Sequence, residues 1–303
     1  MTQPPANVVP VCYRHPDKET YVRCNRCDRP ICPNCMNEAS VGFQCPECVR
    51  DGARSQHPAR TTFGGGSSGT QGTVTITLIV LNVMAFLATI VSAGTGAVAG
   101  GGWGGLLSGI TPLHQHFGEL GYASYAPGGA PHGIAAGEYY RLLTAMFLHF
   151  GVLHLALNMW GVWVVGRPLE AALGRGRFLA LYLIAGLGGG VAAYLFSAPN
   201  TITAGASGAL FGLFGALVVV LRRLRLSIAG VLPVLVLNLV ITFSFSQISV
   251  GGHIGGLITG ALAAIGLAYA PQKHRTLVQT LTIAVLALVL VVAAVWRTAS
   301  LVG

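Results

Sequence analysis

Few residues in the apolar part of this chain could do chemistry. Besides scattered Ser and Thr, the polar positions inside its long apolar segments are His149, His154, Asn158, Ser207, Asn238 and His253. A polar side chain at membrane depth is costly unless it has a partner or faces a water-filled cavity. A serine hydroxyl beside an imidazole is a nucleophile that a general base can activate. The set therefore favours acyl-transfer chemistry, provided that the helices bring its members together.

Spacing indicates which of these residues act together. In HFGVLHLALN (149–158), His154 and Asn158 are four residues apart and share a helix face, whereas His149, five residues before His154, points about 140° away from it. The side chains of His154 and Asn158 could then donate hydrogen bonds to one oxyanion, together with the backbone N–H of Ser207. The alternative is that the pair only satisfies itself or a neighbouring helix.

Glycines surround both Ser207 and His253. GGHIGGLITG (251–260) places glycines on the helix face of His253, and GASGALFG (205–212) places two beside Ser207. Small residues let helix backbones approach closely. We therefore expect Ser207 and His253 to come within hydrogen-bond reach, with Phe211 stacked on the His253 ring. For either glycine motif alone, plain helix packing is the alternative.

Acidic residues are nearly absent from the apolar part. After Glu138 the only one is Glu170, at the predicted end of the second apolar segment, so no carboxylate is expected at membrane depth. This excludes a Ser-His-Asp triad, an aspartyl protease and a carboxylate proton relay. The sequence also has no H-E-x-x-H, which excludes a membrane zinc protease of that type.

The elements that must position these residues are apolar helices. Of the 303 residues 53% are hydrophobic and 9% charged, a balance that no soluble domain needs. Seven apolar segments are close to the roughly 20 residues that span a bilayer. They cover residues 73–97, 143–165, 178–196, 205–221, 228–245, 252–270 and 276–296. The sequence therefore predicts an all-α polytopic membrane protein.

Basic residues in the short loops predict the orientation of these helices. Arginines and a lysine cluster in alternate loops, at 167–177, 222–225 and 273–275, whereas the opposite loops hold only Arg141 and Arg297. Positive loops face the cytoplasm. The N-terminus is therefore expected in the cytoplasm and the C-terminus outside. The net charge of +9 reflects this topology, and no nucleic-acid partner is expected.

The first 50 residues carry a different chemistry. All seven cysteines lie there, in four pairs with two residues between partners, and one histidine completes the set: Cys12, His15, Cys24, Cys27, Cys32, Cys35, Cys45 and Cys48. Eight soft ligands suit two tetrahedral zinc sites with no position open for catalysis, so the expected cofactor is structural zinc. A disulfide cluster is the alternative, which a reducing cytoplasm disfavours.

The order of these ligands resembles B-box-type zinc fingers. The resemblance implies a cross-braced pairing, with Cys12, His15, Cys32 and Cys35 on one ion and Cys24, Cys27, Cys45 and Cys48 on the other. Spacing alone leaves the pairing open. We expect residues 1–50 to form this module, which binds an unknown protein partner, and residues 51–72, rich in Gly and Ser, to be a flexible linker.

The membrane part resembles the rhomboid intramembrane serine proteases. HFGVLHLALN, GASG with Ser207, and GGHIGGLITG with His253 occur on three separate helices in that family's order. The resemblance implies a six-helix core over residues 73–270, with Ser207 at the head of a shortened fourth helix. Residues 271–303 would add a seventh helix. It also implies a Ser-His dyad that cleaves transmembrane segments of other proteins, without a catalytic cofactor.

The same resemblance assigns supporting roles by position. His154, Asn158 and the Ser207 backbone would form the oxyanion hole, Gly205 would shape the loop before the nucleophile, and His149 would be a structural hydrogen-bonding residue. Two positions depart from the pattern: Tyr140 precedes Arg141 where the family often has Trp, and Phe211 stands where some members have Tyr.

Two other classes of function compete with the protease. A non-catalytic rhomboid-like module would use the same cavity to hold membrane proteins, and a small-solute transporter or channel would need carboxylates or inverted repeats that the sequence lacks. The expected partners of the protease are transmembrane protein substrates and membrane lipid. His114, His116 and His132 in the first outer loop are interpreted as exposed loop residues rather than a metal site.

Overall fold

The chain forms two compact units in a computed structural model, residues 1–59 and 60–303. The structure describes residues 9–55, 60–66, 71–93, 109–126, 128–245 and 247–303. Each unit has its own core, and the two are described separately below.

The first unit is built around its cysteines. Two antiparallel hairpins precede one helix: β1 (Val11–Cys12) with β2 (His15–Glu19), β3 (Asn37–Glu38) with β4 (Phe43–Gln44), and α1 (Pro46–Ser55). Its buried cluster consists of six cysteines and Ile31, with few apolar side chains packed around them. So small an apolar core cannot stabilise 50 residues, which makes the fold dependent on its ligand clusters.

The second unit is helical, and its helices match the apolar segments of the sequence. Its long helices are α2 (Thr73–Ala93), α5 (Val152–Leu173), α6 (Arg175–Phe196), α7 (Ser207–Arg223), α8 (Leu232–Ser244), α9 (Val250–Tyr269) and α10 (Arg275–Val302). Between α2 and α5 lie α3 (Pro112–Phe117), a hairpin of β5 (Ala123–Ser124) and β6 (Pro131–His132), and α4 (Arg141–Thr144).

The predicted all-helical membrane fold is confirmed. In the part of the chain that the structure describes, four helices have the length and composition to cross a membrane, and a bent pair could form a fifth. α7 with 17 residues and α8 with 13 are shorter. α7 begins at Ser207, as expected for a shortened helix headed by that residue. Residues 94–97 of the first predicted segment lie outside the described residues.

The second predicted segment, 143–165, is wrong at its start. The chain bends by 93° between Arg141–Phe147 and α5, which begins at Val152 and continues to Leu173. Gly151 precedes the helix in an extended conformation, and glycine has a weak helical preference. Apolar composition alone does not predict this break, because a helix and a buried loop have similar hydropathy.

Close packing of α6, α7 and α9 forms the centre of the second unit. A Cβ added at Gly256 would collide with the carbonyl oxygen of Gly208, and one at Gly260 with that of Gly212. The first two turns of α7 therefore touch the second and third turns of α9 backbone to backbone. The glycines near Ser207 and His253 therefore do serve helix packing, which is the alternative given above for each glycine motif. The same packing brings α7 and α9 together.

The predicted flexible linker, 51–72, is partly ordered. Residues 51–55 continue α1, and residues 60–66 form a turn closed by a bridge between Arg60 and Gly66. Phe63 is buried in the core of the second unit, and its N–H donates to Ala172 O at 3.3 Å. One apolar side chain anchors this turn against a composition that favours flexibility. Residues 56–59 and 67–70 of the segment lie outside the described residues.

A carboxylate from α5 caps the start of α2. Glu170 is fully buried and accepts hydrogen bonds from the N–H groups of Val74 and Thr75, at 3.0 and 2.8 Å, and from the Thr75 hydroxyl at 2.8 Å. A negative group at a helix N-terminus satisfies unpaired donors and complements the helix dipole. Glu170 therefore joins α2 to α5.

Candidate active site

Ser207 stands at the first position of α7, after a loop whose backbone is fixed at several points. Thr203 pairs with Glu119 through two backbone hydrogen bonds, and the N–H of Gly205 donates to Ala145 O at 2.9 Å. The N–H of Ala206 reaches Nε2 of His149 at 3.5 Å. The first turn of a helix has N–H groups without partners inside the helix. The hydroxyl of Ser207 therefore lies next to the backbone N–H groups of the first turn of α7, which can act as hydrogen-bond donors.

Gly205 brings His154 next to Ser207. Its φ of +140° is a conformation that favours glycine. A Cβ added there would lie 2.9 Å from Nε2 of His154 and 3.5 Å from Oγ of Ser207. The His154 ring and the Ser207 hydroxyl therefore flank the same glycine, and any larger residue would push the ring away.

His253 lies in the first turn of α9 and is buried. Its ring stacks on Phe211, with centroids 4.1 Å apart and planes at 17°. Phe211 follows Ser207 by one turn of α7, so the stacking aligns the imidazole with the helix that begins at the serine. A phenyl ring is sufficient for this contact, although it offers no hydroxyl.

The sequence did not indicate the second contact of His253. Thr242 Oγ1, on α8, lies 2.7 Å from His253 Nδ1, and the same hydroxyl donates to Asn238 O at 2.7 Å. A carbonyl oxygen has no proton, so the single hydroxyl proton of Thr242 is committed to Asn238. Thr242 Oγ1 must therefore accept from Nδ1–H of His253. This assigns the proton of the neutral imidazole to Nδ1 and leaves Nε2 as an acceptor.

The sequence shows that Thr242 is a polar residue in an apolar segment, but it does not indicate the partner. Asn238 and Thr242 are four residues apart in an otherwise apolar helix, and Thr242 is the one residue of α8 that is buried. Asn238 is likewise a polar residue in this apolar segment, and the sequence indicates no partner for it. Hydrogen bonding of Thr242 back to the i−4 carbonyl is the local geometry that polar helical residues adopt in an apolar setting.

The expected hydrogen bond between Ser207 and His253 is absent from the described structure. Their helices do meet, since a Cβ on Gly208 would lie 3.3 Å from Gly252 O. The hydrogen bond of His253 goes instead from Nδ1 to Thr242. Catalytic hydrogen bonds often tighten only when substrate is bound. The structure therefore brings the helices of Ser207 and His253 together, but it does not contain the hydrogen bond between the two side chains.

The structure places His154 and Asn158 on α5, as predicted, but not His149. Nδ2 of Asn158 donates to His154 O at 2.9 Å, which leaves its second N–H for another acceptor. His149 precedes α5 and is buried, and its ring meets that of His154 edge to face with centroids 4.9 Å apart. The predicted 140° separation is wrong because the two residues do not share a helix.

His114 corrects the interpretation of the outer-loop histidines. It is fully buried, its Nδ1 lies 2.9 Å from Thr111 Oγ1, and its ring stacks on Phe150, which in turn stacks on His154. Burial lowers the pKa of His114. Its aromatic chain to His154 makes it a supporting residue that spacing could not reveal. His116 is exposed as expected.

Arg141 anchors the same loop. Its side chain is 1% exposed, and Nη1 donates to the carbonyl oxygens of Gln115 and Gly118, both at 2.7 Å. Nε donates to Glu138 at 2.6 Å. Tyr140, which replaces the family's Trp, donates its hydroxyl to His116 O at 3.1 Å. The departure at Tyr140 therefore leaves the loop anchored.

Two carboxyl groups in this loop have pKa values that are shifted in opposite directions. Burial raises the pKa of Glu119 well above its ordinary value. Burial also raises the pKa of Glu138, but hydrogen bonds from Gly133 N–H, Arg141 and His132 outweigh it and lower the pKa. Glu119 lies beside α6, because a Cβ on Gly190 would be 3.4 Å from its Oε2.

The cysteine module forms two ligand groups. Within each group the ligand atoms lie within 4.8 Å of one another, and the members are Cys12, His15, Cys32 and Cys35 in one and Cys24, Cys27, Cys45 and Cys48 in the other. These are the pairings that the B-box resemblance implies, and all seven cysteines are free thiols. The clusters therefore could hold two metal ions.

The spacing of the ligand atoms fits a tetrahedral ion. His15 Nδ1 lies 3.3 to 3.7 Å from the three sulfurs of its group, and Cys27 Sγ is 3.8 Å from Cys45 Sγ. Metal–sulfur bonds of about 2.3 Å in a tetrahedron give edges of about 3.8 Å. Burial raises the pKa of Cys24, but hydrogen bonds, first from the Cys45 N–H, lower it to about 6 and favour the thiolate that binds metal.

Comparison with known proteins identifies the membrane unit. A family model described as "Rhomboid domain" matches residues 136–270, which include all the membrane residues of the candidate site. The rhomboid-family protein YdcA of Bacillus subtilis is 36% identical over 135 residues, which are 43% of this chain and 68% of YdcA. The chain belongs to the rhomboid family.

Two further relatives are named as proteases. Rhomboid protease GluP of Bacillus subtilis is 43% identical over 161 residues, or 51% of this chain and 31% of GluP. Rhomboid protease AarA of Providencia stuartii is 32% identical over 184 residues, or 50% of this chain and 63% of AarA. The chain thus spans about a third of GluP and under two thirds of AarA.

Proposed function

We propose that this chain is an intramembrane serine endopeptidase, a hydrolase that uses Ser207 as nucleophile and His253 as general base. The observation that carries the proposal is the 2.7 Å contact of His253 Nδ1 with Thr242 Oγ1, whose own proton is assigned to Asn238 O; with the imidazole proton thus assigned to Nδ1, Nε2 can accept a proton. The family membership and the two proteases among its relatives support the same reaction class.

In the proposed reaction, Nε2 of His253 takes the proton of the Ser207 hydroxyl as Oγ attacks the scissile carbonyl. The imidazolium then gives that proton to the leaving amine, and an acyl-enzyme forms. A water attacks the ester by the reverse route, its proton passing through His253, and the carboxylic acid leaves. Thr242 keeps the imidazole in the tautomer that each step needs.

The developing oxyanion would meet donors from two helices. The backbone N–H of Ser207 lies at the positive end of α7, and the side chains of His154 and Asn158 lie on α5. Gly205 permits the approach of the His154 ring, and His149 holds the loop through Ala206. In this role His154 must present a ring N–H to the substrate.

The proposed substrates are transmembrane segments of other proteins. Cleavage would fall near their outer ends, where helix-destabilising and small residues expose the backbone. The corresponding orientation has the N-terminal unit in the cytoplasm and the C-terminus outside, as the basic loops predict. The competing function is a non-catalytic module that holds membrane proteins in the same cavity.

Reconstituted protein separates the two functions. Purified full-length chain in proteoliposomes, with a single-span substrate, should cleave, and Ser207→Ala and His253→Ala should each abolish cleavage. Ser300→Ala, at an exposed serine outside the site, is the matched control and should retain full activity. Cleavage that persists in Ser207→Ala would rule out the proposed nucleophile, and binding without cleavage by the wild type would favour the non-catalytic module.

We further propose that the two ligand groups of the N-terminal unit hold structural zinc. The donor sets, three thiolates with one imidazole in one group and four thiolates in the other, suit this metal, and all four ligand positions of each group are filled by protein. Zinc would supply the folding energy that the small core lacks. The module would then present a rigid surface to a protein partner.

A further inference from the structure

A cavity lies at the end of the second unit where α6 and α10 begin. Its volume is about 520 Å³, within the range of ordinary ligand pockets. Its lining comes from three separate stretches of chain: the 60–66 turn, the start of α6, and the segment that leads into α10. The catalytic residues lie on other segments, so the cavity is separate from the candidate active site.

Four cations line this cavity: Arg60, Arg177, Lys273 and Arg275. Arg177 and Arg275 are half-buried, whereas Arg60 and Lys273 are exposed at the rim. Arg60 and Arg275 both act on Arg177 as like charges. Among the described residues no carboxylate lines the cavity and none of the four forms an ion pair. Like charges held together in this way favour an anionic ligand.

Arg177, which lines the cavity, is held by a hydrogen bond from behind the lining. Gln279 is 3% exposed; its Oε1 accepts from Nε of Arg177 at 2.6 Å. Its Nε2 donates to Phe63 O at 3.1 Å and to Leu267 O at 2.7 Å. One buried amide thus joins the turn, α6, α9 and α10, and it orients the Arg177 guanidinium through one edge only.

Arg275 is also held in place. A Cβ on Gly64 would lie 2.8 Å from its Cδ, so the glycine makes room for this side chain. No side chain caps α10, and the residues of its first turn, Arg275 to Leu277, belong to the lining.

Membrane topology by itself accounts for positive charge at this end, but not for its convergence. Arg222 and Arg225 lie at the end of α7, on the same side of the helix bundle, and both are exposed outside the cavity. Scattered arginines of this kind suffice for orientation. The four cavity cations instead surround one space that a buried glutamine and a glycine shape.

We propose that this cavity binds the phosphate of an anionic phospholipid headgroup. Guanidinium groups bind phosphate through paired N–H donors, and basic pockets between helix ends suit lipid headgroups. Because α6 and α10 are long enough to cross the membrane and both begin at the cavity, it lies at headgroup level in one leaflet. A soluble phosphate has the same chemistry and is distinguished by the experiment below.

The test uses the purified full-length protein in non-ionic detergent, with the thermal unfolding midpoint as readout. Dihexanoyl phosphatidylglycerol, dihexanoyl phosphatidylcholine and inorganic phosphate are titrated separately. The site variant is Lys273→Gln with Arg275→Gln. A second variant, Arg60→Gln with Lys273→Gln, alters only exposed rim side chains and guards against misfolding. Arg222→Gln with Arg225→Gln removes the same charge outside the cavity.

Phosphatidylglycerol should raise the midpoint saturably, with half-saturation about 30-fold higher in the cavity variants and within about twofold of wild type in the control. Phosphatidylcholine should have no such effect. An effect of inorganic phosphate that the cavity variants lose would establish the phosphate site and make its source soluble. Equal responses to both lipids, or equal losses in the cavity and control variants, would overturn the proposal.

Discussion

His253 and Thr242 are joined by a 2.7 Å hydrogen bond across two helices, α9 and α8. Thr242 spends its own proton on Asn238, so it can only accept from the imidazole. A carboxylate usually has this role in serine hydrolases and brings a negative charge. A threonine fixes the same tautomer without a charge, which suits a site among apolar helices.

Thr242→Val should reduce the rate of cleavage about 10- to 100-fold, because Nδ1–H of His253 would lose a buried acceptor and the other tautomer would gain population. Valine has the shape of threonine, so packing is conserved. The measurement is kcat and KM in proteoliposomes, and kcat should carry the loss. Thr242→Ser keeps the hydroxyl and should restore most of the rate. If valine and serine variants are equally slow, Thr242 acts through packing alone.

Gly205→Ala should lower kcat by at least about tenfold, since the methyl group would press on His154 at 2.9 Å and displace it from the oxyanion. Backbone strain contributes as well, because φ is +140°. Gly137→Ala isolates that strain: φ is +96° there, with open space around the added methyl. Activity measured in parallel should fall much further for Gly205→Ala; similar losses would remove the argument from the ring contact.

The stability of the Glu119→Gln variant relative to wild type should be higher at pH 8 than at pH 5. The folded pKa of Glu119 is raised, so its contribution to stability is present below its ordinary value of 4.5 and is lost as pH rises through the folded pKa. Glutamine does not titrate and avoids this loss. The thermal midpoint of both proteins across pH 5 to 8 checks the prediction.

Glu138→Gln is the control of opposite sign. The folded pKa of Glu138 is lowered, so its contribution is present above 4.5 and lost only as pH falls through that lower value. The glutamine variant should therefore be less stable than wild type at pH 8. A stabilising effect of both substitutions at pH 8 would contradict the electrostatic assignment of the loop.

Cys24→Ser with Cys27→Ser should reduce the bound metal from about two ions per chain to one or none, because it removes two of four ligands from one group. Inductively coupled plasma mass spectrometry measures the metal content and identifies the metal. The thermal transition of the second unit should not change, since that unit has its own core. Two ions retained by this variant would contradict the two-site arrangement.

The sequence predicted the helices because they depend on local composition, whereas the ligand pairings came from the resemblance to B-box-type zinc fingers, since spacing alone leaves them open. Apolar runs identified the long helices, and family order placed Ser207 at the start of α7. It did not predict the 93° bend before α5, because a buried loop around His149 is as apolar as a helix. The error in the His149 direction followed from that bend.

Long-range polar contacts were beyond sequence reasoning for a different reason. Thr242 and Gln279 each look like an ordinary polar residue on an apolar helix, and their roles depend on partners on other helices. The glycines around Phe63 predict a flexible segment, although this single buried phenylalanine fixes the turn. Such contacts follow from the packed fold and have no periodic signal.

The cap of α2 has a consequence for how the chain is made. The N–H groups of Val74 and Thr75 donate to a carboxylate that is synthesised 95 residues after Thr75. α2 is therefore synthesised before the carboxylate that caps it, and these N–H groups gain this acceptor only once Glu170 has been made and α5 has packed against α2.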